Sequence, residues 1–399
     1  MSAAEDESLG GRFLIAPDHV LLRLQRPALQ LGIVALALCA VGWAFSPENF
    51  FRAYLTAYLF WCGIALGSMA ILMLQHITGG TWGWLIRRVL ESATRTLPLL
   101  LALFVPLLFG LSYLYEWADP HHVALDPLLQ HKRAYLNVPF FLARAAVYFA
   151  TWLLLQRFLN LWSAEQDASG NPALAHRLEY LSRGGLLLYS LTMTFASIDW
   201  VMSLEPHWFS TIYGILFIGG QVLSAFAFVI PVLALLAARP PLSGVVSAEQ
   251  FHDLGKLLLA FVMLWSYFAF SQFIIIWSGN LPEETPWYLN RLRGGWEWIG
   301  AAEIVLHFAL PFMVLLSRDL KRDARRLAAV ALLVVVMRFV DLFWLISPAF
   351  SPRTFAVHWL DPVTLIGVGG VWLATFVGQL RSRPLIPLRD PEFPLEAST

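Results

Sequence analysis

The sequence predicts an all-α polytopic membrane protein with ten transmembrane helices, and three observations carry that prediction. Hydrophobic residues fill 58% of the 399 positions and charged residues only 14%, against roughly a quarter charged in soluble domains. The apolar residues gather into ten stretches of about 20, the length a helix needs to cross hydrocarbon. The short alternating segments of a β-barrel are absent, and a lipid-exposed backbone that must satisfy its own hydrogen bonds favours helices.

In chain order the expected spans are 27–47, 53–77, 97–115, 138–160, 184–204, 210–237, 255–279, 298–317, 327–347 and 360–380. The N-terminal stretch MSAAEDESLGG is acidic and lacks a basic n-region and a small-residue cleavage site, so it does not read as a cleaved signal peptide. The N-terminus, the even-numbered loops and the C-terminus hold three times as many Lys and Arg residues as the other loops. That bias predicts a multi-pass membrane protein with both termini cytoplasmic. Thr81–Arg95 mixes Trp with Arg and is expected to lie along the cytoplasmic interface as a short amphipathic helix. Zero net charge gives no sign of a nucleic-acid partner. The two cysteines, Cys39 and Cys62, both fall in apolar stretches and form no metal or iron–sulfur spacing.

The spans contain an internal echo. LFWCGIAL (Leu59–Leu66) aligns with LFIGGQVL (Leu216–Leu223), and LLALFVPL (Leu100–Leu107) aligns with LLLAFVML (Leu257–Leu264) at the same offset. Asp199 with Pro206 matches Asp341 with Pro348 at a shorter offset, because the loop before the fifth span is longer than the loop before the ninth. The expected architecture is therefore two four-helix bundles, spans 2–5 and spans 6–9, related by a pseudo-twofold along the membrane normal and flanked by two further helices. The corresponding division is 1–26 (N-terminal segment), 27–50 (first helix), 51–206 (first bundle), 207–347 (second bundle) and 348–399 (tenth helix and tail).

Ionisable residues inside the spans fall on the last two helices of each expected bundle: Arg144 and Asp199 in the first, Glu303, His307, Arg338 and Asp341 in the second. With the assigned orientation, Arg144, Asp199, Glu303 and Asp341 lie five or six residues from the outer end, about 8–9 Å deep. An ionisable group at that depth costs several kcal/mol unless paired or hydrated, and Asp and Glu are too short to snorkel, so these groups should face an enclosed, wet interior. Each is a candidate for a proton path or for a quinone headgroup contact. The structural alternatives stand beside this. Arg338 and Asp341 are spaced for an ion pair on one helical face, and Arg144 with Asp199 could lock spans 4 and 5. Glu303 and His307 share a face and could relay protons, whereas a metal site would need further ligands from other helices.

His307 is the only histidine near the middle of a span, and a transmembrane b haem usually needs two. No phosphate loop, catalytic triad or HExxH motif is present. His121, His122, His131, His207 and His358 fall in outer loops. Trp117, Trp208, Trp287, Trp296, Trp298 and Trp359 are expected to form an aromatic belt, with a docking surface as the alternative. Asn280–Trp298 is long for a bare connector and predicts some ordered outer structure.

Four stretches carry a resemblance: YLFWCGIALGSMAILMLQHITGGTWGWLIRRVLESATRTLPLL, HKRAYLNVPFFLARAAVYF, SIDWVMSLEPHWFSTIYG and AFVMLWSYFAFSQFIIIWSGNLPEETPWYLNR. Together, over roughly residues 50–300, they resemble the ActF-type membrane subunits of bacterial alternative complex III, within the wider polysulfide-reductase-like (NrfD-like) membrane family. The resemblance implies two four-helix bundles plus two flanking helices. It also implies a subunit of a respiratory quinol:electron-acceptor (cytochrome c) oxidoreductase that supports assembly and proton translocation and has no redox centre of its own. Iron–sulfur clusters and c haems would belong to partner subunits, among them an ActC-like homologous membrane subunit better suited to quinol oxidation. No covalently bound cofactor is expected here, while contact with menaquinone, ubiquinone or lipid is. Two rival readings are a purely structural scaffold subunit and a stand-alone secondary transporter. The mid-span prolines Pro106 and Pro311 have no repeat-related counterparts, which weighs against the transporter.

Overall fold

The computed structural model describes residues 13–352 and 354–390. Part of the expected N-terminal segment and the last nine residues of the tail lie outside the described residues. Among those described, every regular element is helical, and ten helices are long and apolar enough to cross a membrane. These are span 1 (Val20–Phe45), span 2 (Pro47–Thr78), span 3 (Thr81–Leu108), span 4 (Val138–Ser169), span 5 (Pro172–Leu204), span 6 (Tyr213–Ala237), span 7 (Ala248–Gly279), span 8 (Trp296–Leu315), span 9 (Ala324–Ala349) and span 10 (Leu360–Arg381).

Most helices run past the apolar windows because their ends are capped rather than lipid-limited. Span 4 starts where the Asn137 side chain accepts from the Phe140 amide, with Pro139 in its first turn, and stops at Gly170 in the left-handed region (φ +64°). A reciprocal Ser247–Gln250 capping box opens span 7, and Asn280 closes it in the left-handed conformation. Asp323 caps span 9 through the amides of Arg325 and Arg326, and the Arg326 amide above all holds its carboxyl below the usual range. Spans 2, 4 and 7 reach 32 residues each, about 48 Å at 1.5 Å per residue. Their outer turns therefore extend beyond the hydrocarbon.

Span 2 packs against spans 3 and 5, span 5 against span 4, and span 4 against span 3. Span 6 packs against spans 7 and 9, and span 8 against spans 7 and 9. The two sets meet where span 6 lies on spans 2 and 5 and span 9 lies on span 2. Span 10 lies on span 2, and its most extensive partner is span 1. The segments before span 1 and after span 10 meet on one side of the molecule, where the Leu385 amide donates to the Phe13 carbonyl over 2.9 Å.

Two expectations need correction. Thr81–Thr94 is helical, but it forms the first half of span 3 and is enclosed rather than spread along an interface, with Gly83 to Thr94 all buried. Its charged face is sequestered by protein, not by lipid headgroups. The aromatic belt is also smaller than expected. Trp117, Trp208, Trp287 and Trp296 are buried, and only Trp298 and Trp359 are exposed. Trp117 packs on Tyr115 and Phe141, while Trp208 and Trp287 stack at 4.6 Å in an ordered far-side layer that includes the helix Thr285–Arg291. Arg291 is fully enclosed there. It lies 3.6 Å over Trp287, pairs with Glu205 at 2.7 Å and donates to the Trp344 and Leu345 carbonyls at the end of span 9.

Spans 1 and 10 touch backbone to backbone. A Cβ on Gly32 would stand 2.7 Å from the Val371 nitrogen, and one on Gly370 would stand 2.5 Å from the Ala28 carbonyl oxygen. Small residues permit such close approach in a membrane, where packing replaces the hydrophobic effect as the glue. Gly32→Val is therefore expected to destabilise the protein by about 1–3 kcal/mol, in the range for overpacking. Gly184→Ala, at a position with open space beside it, is expected to stay within ~1 kcal/mol of wild type. Thermal unfolding in detergent checks both, and equal midpoints for the two variants would contradict the glycine contact.

Candidate functional site

All six ionisable residues singled out from the sequence are buried, and the structure gathers them into two clusters, one in spans 4 and 5 and one in spans 6 to 9. Among the described residues no hydrogen bond or ion pair joins the two.

In the first cluster the charged groups are fully paired. Asp199 has no exposed surface. It receives Arg144 in a two-point contact, Nε to Oδ2 at 2.8 Å and Nη2 to Oδ1 at 2.9 Å, and Tyr148 donates to Oδ2 at 2.7 Å. The remaining Arg144 donor meets the Tyr135 carbonyl, and the guanidinium lies 3.9 Å from the Tyr135 ring and 4.3 Å from the Phe140 ring. Planar forks matched to carboxylates are the strongest form of such a pair. Asp199 sits one residue before the α-helix gives way to a 3₁₀ turn at Met202–Leu204, closer to the helix end than the span estimate placed it. Ser203 stabilises that change by donating to the Asp199 carbonyl at 2.6 Å.

The second cluster is not saturated. Arg338 and Asp341 pair on one face of span 9. The Arg338 Nε donates to Ser224 at 3.3 Å, and the guanidinium lies against the span 6 backbone at Gly220, where a Cβ would be 2.1 Å from Nη2. Trp265 of span 7 faces the same guanidinium at 5.9 Å. Glu303 and His307 approach from span 8. Glu303 Oε1 and both ring nitrogens of His307 are buried without any hydrogen-bond partner. The His307 ring instead packs on Trp265, with centroids 3.9 Å apart. Glu303 lies within electrostatic reach of Asp341, Arg338 and Arg291, and His307 within reach of Arg338.

Both unpartnered side chains sit on an irregular stretch. Glu303–Ala309 is a π-helix, in which the Leu310 amide reaches back to the Val305 carbonyl. Pro311 supplies a cause, because its ring cannot sit against the carbonyl four residues earlier and it offers no N–H to it. Widening of the turn relieves the clash, and π-turns recur at functional sites.

Sequence reasoning found the charged members and missed the neutral ones. Tyr148 was legible as the residue one turn after Arg144 on the same face. Gly220 and Ser224, also one turn apart, mark the span 6 face that receives Arg338. Nothing local marks Trp265. A third buried network was missed altogether. Beside the segment that follows span 10, Arg87 and Arg88 of span 3 bind Glu91, Ser163, Gln166 and Asp167, and Arg87 reaches Asp390 at 2.9 Å. Both arginines have carboxylate partners there, so it reads as a clamp for the tail.

In the far-side loops, His207 pairs with Asp126 at 2.8 Å, and Lys132 donates to the Pro206 carbonyl at 2.6 Å. Partial burial pushes the Asp126 carboxyl up, but the Leu128 and Leu129 amides and the His207 imidazole outweigh it, leaving it below the ordinary carboxylate range. Among the described residues no group of three or more His, Cys, Asp or Glu side chains is arranged to hold a metal ion. No protein-family model and no curated protein matches this chain.

Three predictions follow from these contacts. Asp199→Asn strips the counter-charge from a buried guanidinium and is expected to destabilise by about 3–5 kcal/mol. Tyr148→Phe removes one hydrogen bond to a charged acceptor and is expected to cost about 1.5–3 kcal/mol. Unfolding midpoints of the purified variants test the order, and a milder effect for Asp199→Asn would refute the two-point lock. Asp126 caps the short helix Pro127–Lys132, and its lowered carboxyl means that the cap is complete above the usual carboxylate range and is lost as pH falls through its lowered value. Amide exchange at Leu128 and Leu129 is expected to accelerate over that acid step, and flat protection there would contradict the cap.

Proposed function

We propose that this chain is an integral membrane subunit of a respiratory quinol:electron-acceptor oxidoreductase of the alternative complex III type, and that its second cluster conducts protons. One observation supports the proton reading most: Glu303 and His307 are enclosed without partners beside a complete ion pair, between spans 7 and 9. A fold that only needed to hold its helices together would have no use for such groups, since each buried unpaired polar side chain is costly. A carboxyl and an imidazole without fixed partners are the side chains that bind and release protons with the least rearrangement.

In this reading spans 2–5 and 6–9 are two four-helix units related by a pseudo-twofold along the membrane normal. The protein sits in the bacterial inner membrane with both termini cytoplasmic. Haem c and iron–sulfur subunits, and an ActC-like membrane subunit, are its partners, and menaquinone or ubiquinone is oxidised elsewhere in the assembly. The scaffold reading keeps the first cluster. Arg144, Asp199 and Tyr148 satisfy one another and leave no group free to exchange a proton, so they act as a lock between spans 4 and 5.

The test begins with solubilised native membranes, in which the chain is expected to migrate with haem- and iron–sulfur-bearing partners. In the reconstituted complex, Glu303→Gln is expected to lower protons released per electron to the value set by quinol oxidation alone, with assembly intact. Unchanged stoichiometry and turnover would remove the second cluster from any proton path, and migration of the chain by itself would favour a stand-alone transporter.

A further inference from the structure

We infer that Glu303 and Asp341 hold one proton between them, that it rests on Glu303, and that the position of the Arg338 guanidinium decides where it rests. The inference takes up the same site as the proton-conduction reading but does not depend on protons crossing the membrane.

The argument is a count of charges inside an enclosed space. Span 9 contributes Arg338 and Asp341. Span 8 contributes Glu303 and His307. Span 6 contributes Ser224 and Tyr213, and span 7 contributes Trp265, none of which is charged. From the far-side layer, Arg291 and Tyr288 come within electrostatic reach of Glu303, but Arg291 is already neutralised by Glu205 at 2.7 Å. One guanidinium therefore faces two carboxyls. In a medium that solvates ions poorly, two carboxylates with one counter-ion cannot both stay ionised. Asp341 has the guanidinium, so Glu303 carries the proton.

The competing assignment, an ionised Glu303 beside a protonated His307, has no support in the geometry. Among the described residues Glu303 forms no ion pair with His307. The imidazole lies against the Trp265 ring instead, and both its nitrogens lack acceptors. His307 is the neutral neighbour through which a proton on Glu303 can be passed on.

The arrangement has a second state of equal charge. If the guanidinium moves from Asp341 to Glu303, the O–H bond on Glu303 breaks and one forms on Asp341. Arg338 is held by one hydrogen bond to Ser224 and the contact with its own Asp341, while Gly220 leaves room for the guanidinium against span 6. By contrast, Arg144 is fixed at two points on Asp199 and a third on Tyr135, and among the described residues no second carboxyl pairs with it. The two clusters thus differ in whether the arginine has an alternative acceptor.

Infrared difference spectroscopy of the full-length protein, in whatever complex it purifies with, tests this. Wild type minus Glu303→Gln near neutral pH is expected to show one carboxylic-acid C=O band that shifts in D2O and is lost in the variant. Asp341→Asn leaves Arg338 with only Glu303 to neutralise it, so the band is expected to disappear although Glu303 is still present. Arg338→Gln removes the counter-ion, and a second acid band is expected. Absence of a Glu303-dependent band in the wild type, or its survival in Asp341→Asn, overturns the inference. The wild-type and Glu303→Gln spectra alone suffice if Asp341→Asn does not fold. Loss of the band in Glu303→Gln with unchanged proton stoichiometry would defeat the conduction reading and leave the shared proton standing.

Discussion

Hydrocarbon offers no hydrogen bonds, and that constraint organises everything in this structure. Every polar group carried into the membrane must find its partner on another part of the same chain. Most do. Arg144 finds Asp199, Arg52 finds Asp361 at 3.5 Å, and Arg87 and Arg88 find Glu91. These pairs are not strong evidence of net stabilisation, because desolvation offsets much of their Coulomb energy. They act as constraints of register instead: a helix that slid by one turn would strand a charge in a medium that cannot solvate it.

Against that background the exceptions are informative. Glu303 and His307 lie on a stretch widened by a proline two residues further on, and they are the members of the six-residue set left without partners. The first cluster has the opposite character, since its carboxylate accepts from two side chains at three donor atoms. Two regions that the sequence treats alike, each with an arginine and an aspartate near the far end of paired helices, have therefore been given different chemistry. The difference comes from the side on which the arginine sits. Arg144 reaches Asp199 from a neighbouring helix and ties the two together, whereas Arg338 shares a helix with Asp341, so span 8 is left with carboxyl and imidazole of its own.

Much of this was legible from residue order. The ten spans follow from apolar length, and the structure moves most of their ends outward because caps such as Asn137 and Ser247 extend helices beyond the hydrophobic window. The charged members of both clusters stood out because charge is rare in hydrocarbon. What residue order could not show is which way an amphipathic surface faces. Thr81–Thr94 has the same pattern whether its polar side meets headgroups or buried polar groups, and the structure turns it toward Ser163, Gln166 and Asp167. The tryptophans present the same ambiguity: an indole near a membrane surface can face lipid or stack on a neighbour, as Trp208 does on Trp287. Gly220, Ser224 and Trp265 come from stretches with no charged residue close by in sequence, so only the tertiary arrangement brings them to the site.

The pairing of spans 1 and 10 has a consequence for the order in which contacts can form. Of the ten spans, span 1 is translated before the other nine and has little of its surface covered, yet its main neighbour is span 10, which follows all of them in chain order. While the intervening eight are made, span 1 has its contact with span 2, but the face that carries Gly32 lacks its partner. That face is covered only once span 10 is in place, with Leu385 then fastened to Phe13. The contact between these two helices is thus a late closing step rather than growth from one end.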